Sequence, residues 1–315
     1  MERRKVICVV GPTACGKTTL GVLLAQKYGG EGVSAASMQI YRGMTIGTAA
    51  PTEAEMQGVP HHMIAVADPA EQWSAAEYVQ RATPVVDDIL ARGRLPVIVG
   101  GTGLWMDALL RGHGFAKGSA GGAVRRELET RFEQEGIEPL LAELRQVDPD
   151  SAVRLHPADT KRILRALEVY RETGQTITAH NAATQAMPDR YSAVKIGLRF
   201  ADREDMKALI DRRGDKMASE GLLTEVRALL DRGLPKNATA MQAIGYKEFL
   251  GVLDGTLTEP EALELVKLRS RQYAKRQLTW LRRDQDIHWI EWGKQRDFAR
   301  ALQISTEILA ASGLG

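Results

Sequence analysis

Residues Gly11-Pro12-Thr13-Ala14-Cys15-Gly16-Lys17-Thr18 read G-x-x-x-x-G-K-T, and no other stretch constrains the fold as tightly. The apolar run Val6-Ile7-Cys8-Val9-Val10 precedes it as a buried strand would, and Thr19 to Lys27 follows with helical composition. A strand emptying through glycines into a helix makes a nest of backbone N–H donors at the positive helix end. Lys17 adds a charge there and the Thr18 hydroxyl a ligand for magnesium. The motif therefore binds two or more linked phosphates, from a nucleotide or another diphosphate.

Around this turn the chain alternates strand-like and helix-like segments. Lys5–Val10, Gly32–Ala35, Leu95–Val99, Val194–Leu198 and Ile287–Trp292 read as strands, with helices such as Ala75–Arg92 between them. The expected fold class is α/β, a P-loop NTPase-like parallel sheet flanked by helices. Gly118-Ser119-Ala120-Gly121-Gly122 interrupts the pattern, and the sequence then turns helical and charged through Arg125–Glu135, Glu138–Gln146 and Thr160–Thr173. Three parts are expected: a core over 1–118, a helical insertion over 119–191, and 192–315 completing the core.

Composition narrows the class. The 315 residues are 44% hydrophobic and 26% charged, enough for a sizeable core. Met1 to Lys5 run into the first strand without an apolar leader, and no long apolar segment occurs, so the expected location is the cytoplasm, with no membrane partner. Cys8 and Cys15 lack disulfide or metal spacing, and the adjacent His61 and His62 lack further ligands at zinc spacing.

Gly100-Gly101-Thr102-Gly103 forms a second small-residue turn after a strand, where α/β folds place ligand sites. No acidic residue stands at that strand end to hold metal and water, which argues against a hydrolytic motor or switch. The net charge of +2 hides a local concentration: seven basic and no acidic residues lie between Lys267 and Arg283, interleaved with Tyr273, Gln277 and Trp280. Arg276, Trp280 and Arg283 are at i, i+4 and i+7, a basic and aromatic face suited to RNA; a solvated basic helix packing its Leu and Trp into the core is the alternative.

The phosphate loop, Ser37-Met38-Gln39-Ile40-Tyr41-Arg42-Gly43-Met44, Ile46-Gly47-Thr48-Ala49, Val59 to Ile64, Gly100 to Trp105, Lys161 to Tyr170, Gln242 to Glu248 and Tyr273 to Arg282 occur in this order over nearly the whole chain. Together they resemble the bacterial tRNA dimethylallyltransferases. The resemblance implies transfer of a dimethylallyl group from dimethylallyl diphosphate to N6 of the adenosine 3′ of the anticodon, releasing pyrophosphate. It implies that Gly11, Pro12, Thr13, Ala14, Cys15, Gly16, Lys17 and Thr18 grip the diphosphate, that Thr18 holds Mg2+, and that Thr13, Lys17, Thr18 and Arg213 act in catalysis. It places Ala36, Ser37, Met38, Gln39, Thr102, Lys161, Arg162, Arg165, Gln242, Gly245, Tyr246, Lys247, Lys275, Arg276, Gln277, Trp280 and Arg282 towards the tRNA anticodon stem-loop. A monomer is expected. Adenylate isopentenyltransferases and P-loop small-molecule kinases are the alternatives, as is a tRNA-binding member that has lost catalysis; free-nucleotide enzymes have no use for a long phosphate-tracking surface.

The chain departs from the family where proton transfer is expected. The family has Asp-Ser-x-Gln, its Asp the general base; here Ala36 precedes Ser37-Met38-Gln39. Ala50, Ala65 and Ala158 also stand where Lys, Asp and Asn are expected, and Leu209 where Arg is common. Either turnover is weakened while binding survives, or a neighbouring group or water takes the proton; Glu31 is the one acid within 30–50 weighed for that role.

Overall fold

Along Lys5–Val10 (β1), Val6, Cys8 and Val10 enter one apolar core while Ile7 and Val9 enter another. A strand apolar on both faces belongs in the middle of a parallel sheet covered by helices on each side, and β1 lies there. The computed structural model describes residues 4–112, 115 and 122–314; most of the glycine-rich punctuation, with the expected 118/119 boundary, falls outside the described residues.

Lys17–Tyr28 (α1) follows the phosphate loop, then come Glu31–Ser34 (β2), Glu53–Met56 (α2), His61–His62 (β3), Ala75–Ala91 (α3), Pro96–Gly100 (β4) and Gly103–Arg111 (α4). Five helices succeed them: Ala123–Glu135 (α5), Glu138–Val147 (α6), Pro149–Arg154 (α7), Thr160–Thr173 (α8) and Ile177–Gln185 (α9). Ser192–Phe200 (β5), Arg203–Ser219 (α10), Leu222–Asp231 (α11), Tyr246–Leu253 (α12), Glu259–Leu281 (α13), Ile287–Trp292 (β6) and Phe298–Ala311 (α14) complete the chain. The strands form a parallel sheet in the order β3-β2-β4-β1-β5-β6. The chain leaves β1 towards β2 and β3, returns to β4, and crosses to β5 on the other side. That reversal opens a crevice beyond the carboxyl end of β1.

Register fixes what meets there. Val10 is paired with Gly100 and with Gly197, and Ser34 with Val99. The phosphate loop, the segment after Ser34 and the Gly101–Gly103 turn therefore leave the sheet side by side. The long helix α13 is started by a capping box in which the Glu261 amide donates to the Thr258 hydroxyl and the Glu261 carboxylate accepts from the Thr258 amide.

Chain contacts separate residues 1–112 with 190–315 from residues 113–189. Arg190 and Tyr191 fall with the sheet because the Tyr191 hydroxyl donates to Asp87 at 2.7 Å and Arg190 pairs with the same carboxylate. In the helical unit, Leu128, Leu140, Leu144, Ile163 and Leu167 form a separate core. Asp148 ties it together by capping α7 through the Ser151 amide and accepting from the Thr178 hydroxyl at 2.7 Å.

Candidate active site

The phosphate loop is held from several directions. Gly16, with φ of 91°, turns the chain into α1, and Ala14 also has a positive φ of 64°. From outside, Trp292 donates its indole N–H to the Cys15 carbonyl at 2.8 Å. From within, Lys17 curls its Nζ to the Pro12 carbonyl at 2.6 Å. From α10, Arg213 donates to the Thr13 hydroxyl at 2.8 Å and to the Thr48 carbonyl at 3.2 Å.

The electrostatics follow from what these cations lack. Among the described residues neither Lys17 nor Arg213 pairs with a carboxylate; their partners are carbonyl and hydroxyl oxygens and the Cys15 sulfur. Burial lowers the pKa of both groups, and the Arg213 charge presses further on Lys17. An anion brought to the loop removes that penalty for both at once. Cys15 offers no competing negative charge, because burial pushes its thiol up. Thr18 is the second residue of α1 and partly exposed, so its hydroxyl is open to a ligand.

The segment after β2 lies beside this loop. Gln39 donates to the Thr48 and Ala49 carbonyls at 3.3 and 3.0 Å, so the carbonyl that receives Arg213 also receives Gln39. The Ser37 amide donates to the Thr102 hydroxyl at 3.2 Å. Ala36 is partly exposed, its amide on the Ser34 hydroxyl, and Met38 packs against the sheet core. Glu31 does not replace the missing carboxylate: it pairs with Pro96 at the opposite end of its strand, where Arg92 and His62 hold its side chain. Tyr273, which the sequence placed in the basic and aromatic stretch without a role of its own, joins the site. It faces Thr102 and Gln277, and burial raises its hydroxyl pKa; its spacing of four from Gln277 on α13 is the signal that could have placed it there.

The basic run on α13 divides in two. Lys267 pairs with Asp215 and Glu264, Arg269 with Glu248, and Arg271 with Asp211. These acids come from other elements or the previous turn, which a count along one segment does not reveal. Lys275, Arg276, Arg282 and Arg283 remain exposed and without an ion pair among the described residues. Trp280 is 36% exposed, donates its indole N–H to Asp107 at 3.0 Å, and lies under the Arg283 guanidinium at 5.5 Å. Gly103 permits this, since a Cβ there would come within 2.1 Å of the indole.

Three residues expected towards the tRNA are placed elsewhere. Gln277 is 7% exposed and spends its amide inside the protein. Tyr246 is fully buried and donates its hydroxyl to Glu225, whose carboxylate accepts from the amides of Thr45, Ile46 and Gly47. It braces the loop that carries Thr48. Gly245 is buried beside it at φ of 100°, its amide on Glu248, while Gln242 and Lys247 are exposed. In the helical unit Lys161 and Arg162 are exposed on α8, opposite its buried Ile163 and Leu167, and Arg165 pairs with Glu168 at 3.1 Å.

Comparison with known proteins bears on the family and the fold. Residues 39–284 match the family described as IPP transferase. The chain is 45% identical over 295 residues to a tRNA dimethylallyltransferase of Geobacillus thermodenitrificans, covering 94% of this chain and 93% of that one. The crystal structure of a full-length tRNA isopentenylpyrophosphate transferase from Bacillus halodurans superposes with a TM-score of 0.73 at 40% identity, over 98% of this chain and 96% of the other. A eukaryotic dimethylallyltransferase described as acting on tRNA gives a TM-score of 0.82 at 28% identity, over 98% and 80%. With its P-loop-like parallel sheet and its paired cations over the phosphate loop, the chain belongs to the tRNA dimethylallyltransferase family.

Proposed function

We propose that this chain joins the dimethylallyl group of dimethylallyl diphosphate to N6 of the adenosine 3′ of the anticodon. The allylic carbon–oxygen bond breaks, the carbon–nitrogen bond forms, the N6 proton passes to a base or water, and pyrophosphate leaves. The observation that carries this reading is the convergence of Lys17 and Arg213, neither paired with a carboxylate among the described residues, on a loop beside the end of β4, where Gly100 to Gly103 supply no hydrolytic acid.

Negative charge grows on the departing diphosphate as the bond breaks, and Lys17, which exchanges the Pro12 carbonyl for a phosphate oxygen, joins Arg213 and the loop amides in gathering positive charge around it. Thr13 accepts from Arg213, which leaves its own hydroxyl proton free for a diphosphate oxygen. Thr18 fits magnesium as a single hard oxygen ligand, the rest coming from the diphosphate and water; no cluster of three acidic, His or Cys side chains occurs among the described residues. Magnesium bound there would neutralise charge on the leaving group.

The RNA reading rests on Lys275, Arg276, Trp280 and Arg282, exposed along one end of α13, with Lys161, Arg162 and Arg165 as further phosphate contacts suggested by the family. Ser37, Gln39 and Thr102, beside the loop, suit the extruded adenine. With a methyl group at Ala36, binding is retained and turnover is slow. Incubating the chain with unmodified tRNA, dimethylallyl diphosphate and magnesium, then digesting the RNA for mass spectrometry, tests the reading. N6-dimethylallyl adenosine is expected, in larger amount from Ala36→Asp; its absence from both overturns the proposal. Steep loss of RNA binding between about 50 and 200 mM salt is expected as well.

A further inference from the structure

We propose that Gln277, although carried by the RNA-facing helix, is a positioning residue for the diphosphate loop and makes no contact with RNA. This rests on the reading of the loop as a diphosphate site. Its side-chain carbonyl accepts from the Thr13 amide at 2.9 Å, and its amide nitrogen donates to the Gly101 carbonyl at 2.9 Å. Both ends of the side chain are thereby used on backbone atoms of the two turns that leave the sheet together.

The fit is close. A Cβ on Gly101 would come within 2.2 Å of the Gln277 amide nitrogen and 3.0 Å of the Gly11 carbonyl, so glycine at 101 leaves space for this amide and no more. Thr13 is consequently fixed at two points: Gln277 takes its amide from α13, and Arg213 takes its hydroxyl from α10. The loop amide that Gln277 occupies is withdrawn from the ligand, which leaves the remaining amides and the Thr13 hydroxyl to face it. One turn of α13 thus has two sides. Lys275, Arg276 and Trp280 are exposed, while Gln277 between them is buried.

The experiment separates the two ligands. Pyrophosphate with magnesium, and an unmodified anticodon stem-loop, are each titrated into the full chain and into Gln277→Met and Arg276→Ala. Methionine keeps the length and loses both hydrogen bonds. Gln277→Met is expected to bind pyrophosphate about tenfold or more weakly and the stem-loop within twofold of the parent. Arg276→Ala is expected to show the reverse. Loss of stem-loop affinity by Gln277→Met, or unchanged pyrophosphate affinity, overturns the proposal. Hydrogen exchange at the Thr13 amide of the unmodified chain gives a second reading independent of any variant's folding. Protection is expected there, and exchange at the rate of an open loop overturns the assignment.

Discussion

Arg213 donates to the Thr13 hydroxyl at 2.8 Å, across 200 residues of sequence. The contact joins α10 to the phosphate loop and leaves a guanidinium that, among the described residues, has no carboxylate partner beside Lys17. Two cations in that setting favour an anion whose charge is growing. Replacement of Arg213 by Ala is expected to slow prenyl transfer by about 10²–10³. Single-turnover rates measured in the Ala36→Asp background provide the check, and a loss confined to stem-loop affinity contradicts the role.

Position 36 governs the proton. The adenine amine is a poor nucleophile, and a base that takes its proton as the bond forms is worth roughly 10²–10⁴ in rate. Ala36→Asp is therefore expected to raise the single-turnover rate by about that factor while pyrophosphate and stem-loop affinities change little. Equal rates for the two proteins mean that the proton leaves by another route.

Glu31 makes stability depend on pH. Arg92 donates to both of its oxygens, with 2.9 Å for the second, and His62 lies at 2.7 Å. The Arg92 hydrogen bonds, aided by His62 and opposed by burial, hold the carboxyl down from 4.5 to about 2. A depressed carboxylate pKa stabilises the fold above 4.5, and the contribution fades as pH falls towards 2. Glu31→Gln is expected to cost about 3 kcal/mol at pH 7 and progressively less below pH 4.5. Urea unfolding of both proteins at pH 7 and pH 3 measures this, and a pH-independent gap contradicts it.

Ala65 sits at φ of 51°, in the left-handed region that disfavours a Cβ, and its side chain is exposed. Relief of that strain outweighs the added chain entropy, so Ala65→Gly is expected to stabilise by about 0.5–1 kcal/mol. Thermal unfolding should shift upward by about 1–4 °C; a fall in melting temperature contradicts the strain.

Much of this was legible in the residues. The two-faced apolar run before Gly11 and the helix after it set the strand, turn and α1, and Thr160–Thr173 forms one helix as its spacing implied. What stayed hidden depends on partners distant in sequence. The pair His61–His62 carries no alternation and is a strand only through Gly32 and Val33. The six-residue α7 needs the Asp148 cap more than any period. Lys267, Arg269 and Arg271 look free along the chain, yet each meets an acid on another helix. Gln277 sits in a basic stretch that reads as RNA-facing, and only the crossing of α13 past Thr13 shows where its amide goes.

Calorimetric titration of the full chain with dimethylallyl diphosphate and, separately, with ATP, both in magnesium, bears most directly on whether the loop from Gly11 to Thr18 holds the diphosphate of an isoprenoid donor. Tight binding of dimethylallyl diphosphate, displaced by pyrophosphate and weakened by Arg213→Ala, is the predicted result. Tight, productive binding of ATP with no response to dimethylallyl diphosphate would contradict it.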